Sequence, residues 1–313
     1  MNQHENAPKA SKKSKKGIFF LLGAAFAWSW PAVMIRILKT DFDVFSQSFF
    51  RYIGASVFLF VVGLIFTRKR MIHAAINFRM LLIPSIIMAV HQIFFTTGVC
   101  MTSAIVSSLV GRLNAVVIPL LSFIFYADER QIVKNRSFLL GSFIALVGVL
   151  GVILGKGGIN TGEFNYGFLF IMIGTIAWSM YAVYIKKLIR TIDPLAIISY
   201  VSLFSCVIFF PLVLKFGNIR SICEVSIGTN ILLFGSGILG VGIGNVFYYH
   251  AVKHVGTSIS SIFFLLLPFS VGILGFVILG ETLTAIQIAS GFLSIAGCWM
   301  VTALTKTKPS VSN

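Results

Sequence analysis

The chain alternates long apolar runs with short polar breaks along almost its whole length. Runs of 19 to 25 residues with few charges recur, and each is long enough, as a helix, to cross a hydrocarbon core of roughly 30 Å. The pattern predicts ten transmembrane helices, over 17–38, 44–66, 80–100, 103–126, 137–155, 166–188, 194–215, 229–251, 257–279 and 284–304. Lipid offers backbone amides no partner, so these segments must close their own hydrogen bonds or be shielded by neighbours. The expected fold class is therefore an all-α membrane protein. The first run is not read as a cleaved signal peptide, because it is too long, lacks a small-x-small cleavage site and has an internal copy later in the chain.

Composition agrees and narrows the function. Of 313 residues, 57% are hydrophobic and only 11% charged, which leaves too little polar surface for a soluble protein of this size. The net charge of +16 would suggest nucleic acid in a soluble chain. Here the basic residues are scattered over short loops, so no nucleic-acid partner is expected, and they fix topology and meet anionic lipid headgroups instead. With the N-terminus inside, the cytoplasmic segments hold 18 Lys and Arg and the opposite segments 5. Lys9, Lys12, Lys13, Lys15 and Lys16 mark residues 1–16 as a disordered basic tail, and Arg68, Lys69, Arg70, Lys186, Lys187 and Arg190 lie on the same side. Both termini are thus expected in the cytoplasm of an inner or plasma membrane, with 305–313 as a second tail. Cys100, Cys206, Cys223 and Cys298 show no paired short spacing, so neither disulfide nor metal site is expected.

The most informative feature is an internal repeat. Residues 17–38 read GIFFLLGAAFAWSWPAVMIRIL and residues 167–188 read GFLFIMIGTIAWSMYAVYIKKL. At an offset of 150, Ala27-Trp28-Ser29 meets Ala177-Trp178-Ser179 and Asp43 meets Asp193; further along, Ser107-Ser108 answers Ser260-Ser261. Two units follow, 17–155 and 156–304, each with five spans. An odd number of spans sets the second copy upside down in the membrane, the inverted-repeat plan of alternating-access transporters.

Those residues, with the segment GTSISSIFFLLLPFSVGILGFVILGETLTAIQIASGFLSIAGCWMV, resemble the EamA family of the drug/metabolite transporter superfamily. The resemblance covers nearly the whole chain as two tandem units. It is clearest where Pro268, Leu279-Gly280-Glu281, Gly291 and Gly297 punctuate the last two spans. The first unit departs at Pro119, three residues closer to Glu129 than Pro268 is to Glu281, and at Ala127-Asp128, which replaces Leu-Gly. The resemblance implies a ten-helix permease, often an exporter of amino acids or related metabolites, with a central cavity between the halves. It names no substrate.

Ionisable groups at membrane depth are costly, so each is a candidate for function. Arg51 and Arg112 lie about 10 Å and about 14 Å from the outer boundary at roughly 1.5 Å per residue, and no Asp or Glu lies within a span to pair with them. Guanidinium groups facing a wet cavity suit an anionic or zwitterionic substrate; binding to backbone carbonyls is the competing structural role. His91 and Gln92 in the third span and Asn114 beside Arg112 are further candidates. Trp28 and Trp178 fall near the midplane, where they suit cavity walls or plain packing, and Tyr181 lies one turn on. Tyr248, Tyr249 and His250 read as an interfacial aromatic belt. Glu129 and Glu281 read as helix caps at turns. Gly240 and Gly244, and Gly141, Ala145 and Gly148, read as sites of close helix approach.

A permease for small metabolites, exporting amino acids or related anionic or zwitterionic compounds, is the expected function, with cationic drug efflux as the alternative. An enzyme acting on lipids would want clustered His and carboxylates, whereas the five His are dispersed; a scaffold would carry larger soluble segments. No catalytic residue, metal or cofactor is expected, and the chain is expected to act as a monomer or homodimer with small-molecule substrate and membrane lipids as its partners.

Overall fold

Each apolar run becomes one helix or two or three helical pieces in the computed structural model, which describes residues 6–101, 104–155, 166–280 and 282–303. The first half holds α1 (Asn6–Leu38), α2 (Val44–Ile76), α3 (Arg79–Met101), α4 (Ala104–Gly111), α5 (Asn114–Phe125), a short α6 (Ala127–Val133) and α7 (Arg136–Leu154). The second holds α8 (Tyr166–Leu188), α9 (Pro194–Phe216), the single turn α10 (Ser221–Glu224), α11 (Ile227–Gly237), α12 (Asn245–Val255), α13 (Thr257–Ile262), α14 (Leu267–Leu279) and α15 (Ala285–Ala303). No strand occurs among the described residues. Nine stretches among them are long and apolar enough to cross a membrane; α1, read from the sequence as the first span, is not one of the nine. Glu281, Lys156, Lys306 and Lys308 lie outside the described residues.

Two helices run further than the apolar pattern predicts. Residues 6–16, expected as a disordered tail, continue α1 as helix, since Lys and Ala are good helix formers and an existing helix propagates more easily than it nucleates. α2 passes residue 66 through a kink at Thr67 (φ −140°, ψ 34°). The folded-back end buries Met71 and Ala74, and Gly63 leaves room for the Met71 sulfur.

The outer surface is covered by large apolar side chains, and many small polar ones are turned into the interior beside the apolar core. Phe66, Phe125 and Trp299 are exposed, whereas Ser29, Ser179, Ser202 and Ser205 are fully buried. With lipid outside, helix association relies on close packing and hydrogen bonds more than on apolar burial. Three of these hydroxyls bond back along their own helices, Ser29 to the Ala25 carbonyl at 2.7 Å, its repeat mate Ser179 to Thr175 at 2.9 Å and Ser202 to Ile198 at 2.6 Å, while Ser205 reaches the Ser85 carbonyl of α3 at 3.4 Å. Small residues set the closest contacts: a Cβ on Gly148 would meet the Ser294 amide at 2.5 Å, so α7 and α15 approach almost backbone to backbone.

The main packing partners cross between the halves. α3 lies on α8, α1 on α12, α2 on α9, α7 on α15, α5 on α8 and α1 on α14. The repeat-related Asp43 and Asp193 both cap helices, Asp43 accepting from the Phe45 and Ser46 amides and Asp193 from the Leu195 amide. Each also reaches the other half, Asp43 taking the Asn218 amide at 2.9 Å and Asp193 the Arg70 guanidinium at 2.8 Å. Partial burial raises the Asp43 pKa, but bonds from the Ser46 hydroxyl and the Ser46, Asn218 and Phe45 amides outweigh it and hold the carboxyl below its usual range.

Candidate functional site

Three interruptions of regular helix build the centre of the molecule. The fourth span breaks between α4 and α5, where Arg112 and Leu113 bond to Leu109 and Val110 three residues back rather than four. The ninth span tightens to a 3₁₀ turn over Phe263–Leu266. Pro268 explains the consequence, because it has no N–H to give to the carbonyl four residues earlier, which belongs to Phe264. In the 3₁₀ turn that carbonyl takes the Leu267 N–H, and its second lone pair accepts Arg112 Nη1 at 2.7 Å. The eighth span carries a π-helical segment, Ile238–Gly244, which puts the Gly240 carbonyl out of α register. It accepts Trp28 Nε1 at 3.0 Å.

Around these contacts lies a layer of aromatic rings. Trp28 and Trp178, 150 residues apart, meet edge to face at 5.7 Å, and Phe264 stacks on Trp28 at 5.1 Å. His91 packs on Trp178 at 5.1 Å and shares a hydrogen bond between Nδ1 and the Gly174 carbonyl at 2.8 Å. A carbonyl can only accept, so Nδ1 carries the proton and Nε2 is left as the other polar atom of the ring. Tyr181 packs on Trp178 at 5.5 Å, is fully buried, and its hydroxyl meets that of Tyr249. Four expected site residues, Trp28, Trp178, Tyr181 and His91, therefore form one cluster, and Arg112 joins it through the Phe264 backbone.

The remaining candidates separate. Arg51 is buried in α2, with Nη2 near Gly240 and its backbone pressed against Gly237. It borders the layer from the side of the π-helical segment. Gln92 donates to Thr96 at 2.7 Å and, more weakly, to Ser48 at 3.4 Å. Asn114 is buried with its Oδ1 unbonded, as are the Nε atoms of Arg51 and Arg112 and the Trp178 Nε1.

Tyr248 and Tyr249 correct an expectation. They are 1% and 0% exposed, not an interfacial belt. Tyr248 packs on Trp28 at 5.4 Å, Phe264 at 5.4 Å and Trp178 at 6.2 Å, and its hydroxyl has no partner. The π-helical segment alters the helix phase ahead of these residues, so an interfacial position inferred from a regular rise does not hold. Asn245, buried one turn earlier and bonded to the Val241 carbonyl at 3.0 Å, is the sequence signal that this stretch is interior. The central cavity implied by resemblance is nearly closed: about 10 Å³ remains beside Ala24, Ala25, Trp28, Tyr248, Ser260 and Phe264, about the room of one water.

At the end of the bundle where α5 turns into α6, a second cluster ties the halves. Glu129, fully buried, accepts Lys186 Nζ at 2.6 Å and the Thr257 and Ser258 amides at 2.9 and 3.3 Å. It is thus a cap, as expected, but of α13 in the other half rather than of the helix that follows it. Gly256, at φ +91°, sits against the carboxylate where a side chain would be strained and crowded. Asp128 adds a second carboxylate at 2.7 Å from Lys186. Tyr126 completes the cluster, donating to the Val183 carbonyl at 2.8 Å with its ring under the Lys186 ammonium at 4.5 Å.

The sequence compared with known families agrees with this architecture. The EamA-like transporter family profile matches residues 15–154 and again 165–303. The chain belongs to that family. It is 27% identical over 274 residues to an uncharacterized transporter of Haemophilus influenzae, covering 85% of this chain and 90% of that one. It is 25% identical to the uncharacterized transporter YetK of Bacillus subtilis, covering 95% and 90% of the two chains. A protein of known crystal structure superposes with a TM-score of 0.75 over 94% of this chain and 98% of its own, at 15% identity, a likeness of fold. This family member is an integral membrane protein, and its relatives are transporters.

Proposed function

We propose that this protein is a ten-helix permease that exports small anionic or zwitterionic metabolites, amino acids or related compounds, with Arg112 as the group that meets substrate charge. The observation that carries the proposal is the setting of Arg112: a guanidinium at a helix break, held by one backbone carbonyl, with Nε buried and unbonded, beside an aromatic layer that contributes no carboxylate. A carboxylate arriving there replaces the carbonyl with a charge-assisted, two-pronged partner. The buried and unbonded Trp178 Nε1 and Tyr248 hydroxyl supply further polar contacts.

Alternating access between two inverted five-helix units is the mechanism we infer. It is supported by the packing plan. Exchanging the halves carries the α3 and α8 pairing onto that of α12 and α1, and the α5 and α8 pairing onto that of α14 and α1. It returns α2 with α9 and α7 with α15 to themselves. α1 counts as the tenth span, and both termini face the cytoplasm by the distribution of Lys and Arg. On this reading the Glu129–Lys186 cluster is the cytoplasmic closure, and the small central volume belongs to an occluded conformation that opens on one side at a time.

The test is a thermal-shift screen of the purified protein with amino acids, organic acids, nucleotides and cationic drugs, since a ligand that binds only the folded form raises Tm. Carboxylates or phosphates should stabilise the parent and lose their effect on Arg112→Ala, whose Tm without ligand stays near the parental value. Transport of the same ligand into or out of proteoliposomes should fall about 100-fold, the loss of a paired charge worth about 3 kcal/mol. Stabilisation by cations alone, or normal transport by Arg112→Ala, would overturn the assignment and favour drug efflux.

A further inference from the structure

A cleft of about 550 Å³ opens on the flank of the bundle where α1 meets the end of α12, lined by Lys15, Lys16, Phe19, Phe20, His250 and His254. None of these residues belongs to the central layer or to the Glu129 cluster. Gly17 creates the cleft by letting α1 press against Val255 and His254, closer than any side chain would permit. The rings are then held in order. Phe20 stacks on His250 at 5.0 Å and lies 5.7 Å from His254, whose Nδ1 is engaged by the His250 carbonyl at 2.7 Å.

The chemistry of this lining is divided. Lys15 and Lys16 are exposed at one edge, and no carboxylate among the described residues lines the cleft with them. Phe19, 67% exposed, continues the wall toward the lipid-facing flank, where Leu22 and Phe26 are also exposed. Along α1 this is the passage from the lysine-rich segment to the first apolar run, the depth at which a bilayer changes from headgroup to acyl chain. A ligand with an anionic head and an apolar body fits both edges at once. A free inorganic anion satisfies the lysines alone and leaves the phenylalanine wall without a partner.

We propose that this cleft is a binding site for an anionic glycerophospholipid, with Lys15 and Lys16 on the headgroup phosphate and Phe19 and Phe20 along the upper acyl chains. The assignment of the cleft to the cytoplasmic leaflet rests on the topology inferred above. Basic clefts between helices at that face attract anionic headgroups by about one lysine's worth of affinity for each ammonium engaged. Because α1 also supplies Trp28 to the central layer, a lipid seated here contacts a helix that the proposed cycle moves.

The experiment is a titration of the full chain in detergent, followed by native mass spectrometry, with dioctanoyl phosphatidylglycerol, dioctanoyl phosphatidylcholine and inorganic phosphate as separate probes. Phosphatidylglycerol should bind more tightly than either of the others. Lys15→Ala/Lys16→Ala should weaken it about 25-fold, roughly fivefold for each lysine, whereas Lys69→Ala/Lys134→Ala, which removes the same charge elsewhere, should not. Equal binding of phosphatidylcholine, or equal loss in the control variant, would overturn the site. Phosphate binding as tightly as phosphatidylglycerol and displacing it would overturn the lipid as occupant. Binding is read without transport, so failure of the permease reading leaves this result interpretable.

Discussion

The fourth and ninth spans are copies of one another, and both are broken, but in ways that make them complementary. In the fourth span the break falls at Arg112–Leu113, seven residues ahead of Pro119, and it presents a cation. In the ninth the 3₁₀ turn ends two residues before Pro268, and it presents the Phe264 carbonyl. The two spans meet again at the far end, where Glu129 after the fourth accepts the amides that open the ninth. A duplicated scaffold has thus acquired an asymmetric centre. The copy that carries Arg112 donates, and the copy with the 3₁₀ turn ahead of Pro268 accepts.

The largest expected effect comes from the end contact. Lys186→Met leaves the fully buried Glu129 with only two amides, and breaking a buried pair from one side costs about 3–5 kcal/mol. Thermal unfolding in detergent should show a large drop in Tm, and Glu129→Gln in the same background should recover most of it, because a neutral amide oxygen still accepts from Thr257. A Lys186→Met protein that melts like the parent would remove the cluster as a tie between the spans. Next in size is the central contact. Pro268→Ala gives the Phe264 carbonyl an α-helical partner and loosens its hold on Arg112, so affinity for a carboxylate ligand should change about fivefold, the worth of one hydrogen bond of about 1 kcal/mol. Pro119→Ala, whose freed carbonyl would be that of Ala115, should leave the affinity unchanged; equal effects would mean that the two breaks are interchangeable. Smallest is the tryptophan pair. Trp28→Phe and Trp178→Phe lose similar ring contacts, but only the first loses a hydrogen bond, so it should cost about 1 kcal/mol more in unfolding free energy.

Much of this architecture was legible because its causes are local or periodic. Apolar run length marks the spans, and the 150-residue offset identifies Trp28 with Trp178 and Asp43 with Asp193, which the structure then brings into equivalent helix positions. Gly141, Gly148 and Gly240 were readable as close approaches, since a missing side chain matters wherever helices touch. Tyr248 and Tyr249 were misplaced because a π-helical segment changes the phase of every later residue, and nothing in the run Ile238–Gly244 announces i→i+5 bonding. Gln92 was legible as a polar residue in mid-span; the fold adds that it bonds to Thr96 one turn on in its own helix and, more weakly, to Ser48 of α2.

By itself the sequence determined that this protein lies in a membrane, that its helices come in two related sets, and that Arg112 has no carboxylate within a span to neutralise it. These follow from hydropathy, repetition and charge, which are properties of the chain in one dimension. Only the tertiary structure decided what each polar group meets: Arg112 the Phe264 carbonyl ahead of Pro268, Trp28 the Gly240 carbonyl of the π-helical segment, Glu129 a helix start 128 residues away. Backbone carbonyls are the same at every residue in a sequence, and it is the fold that determines which of them is left free and which donor is brought within 3 Å of it.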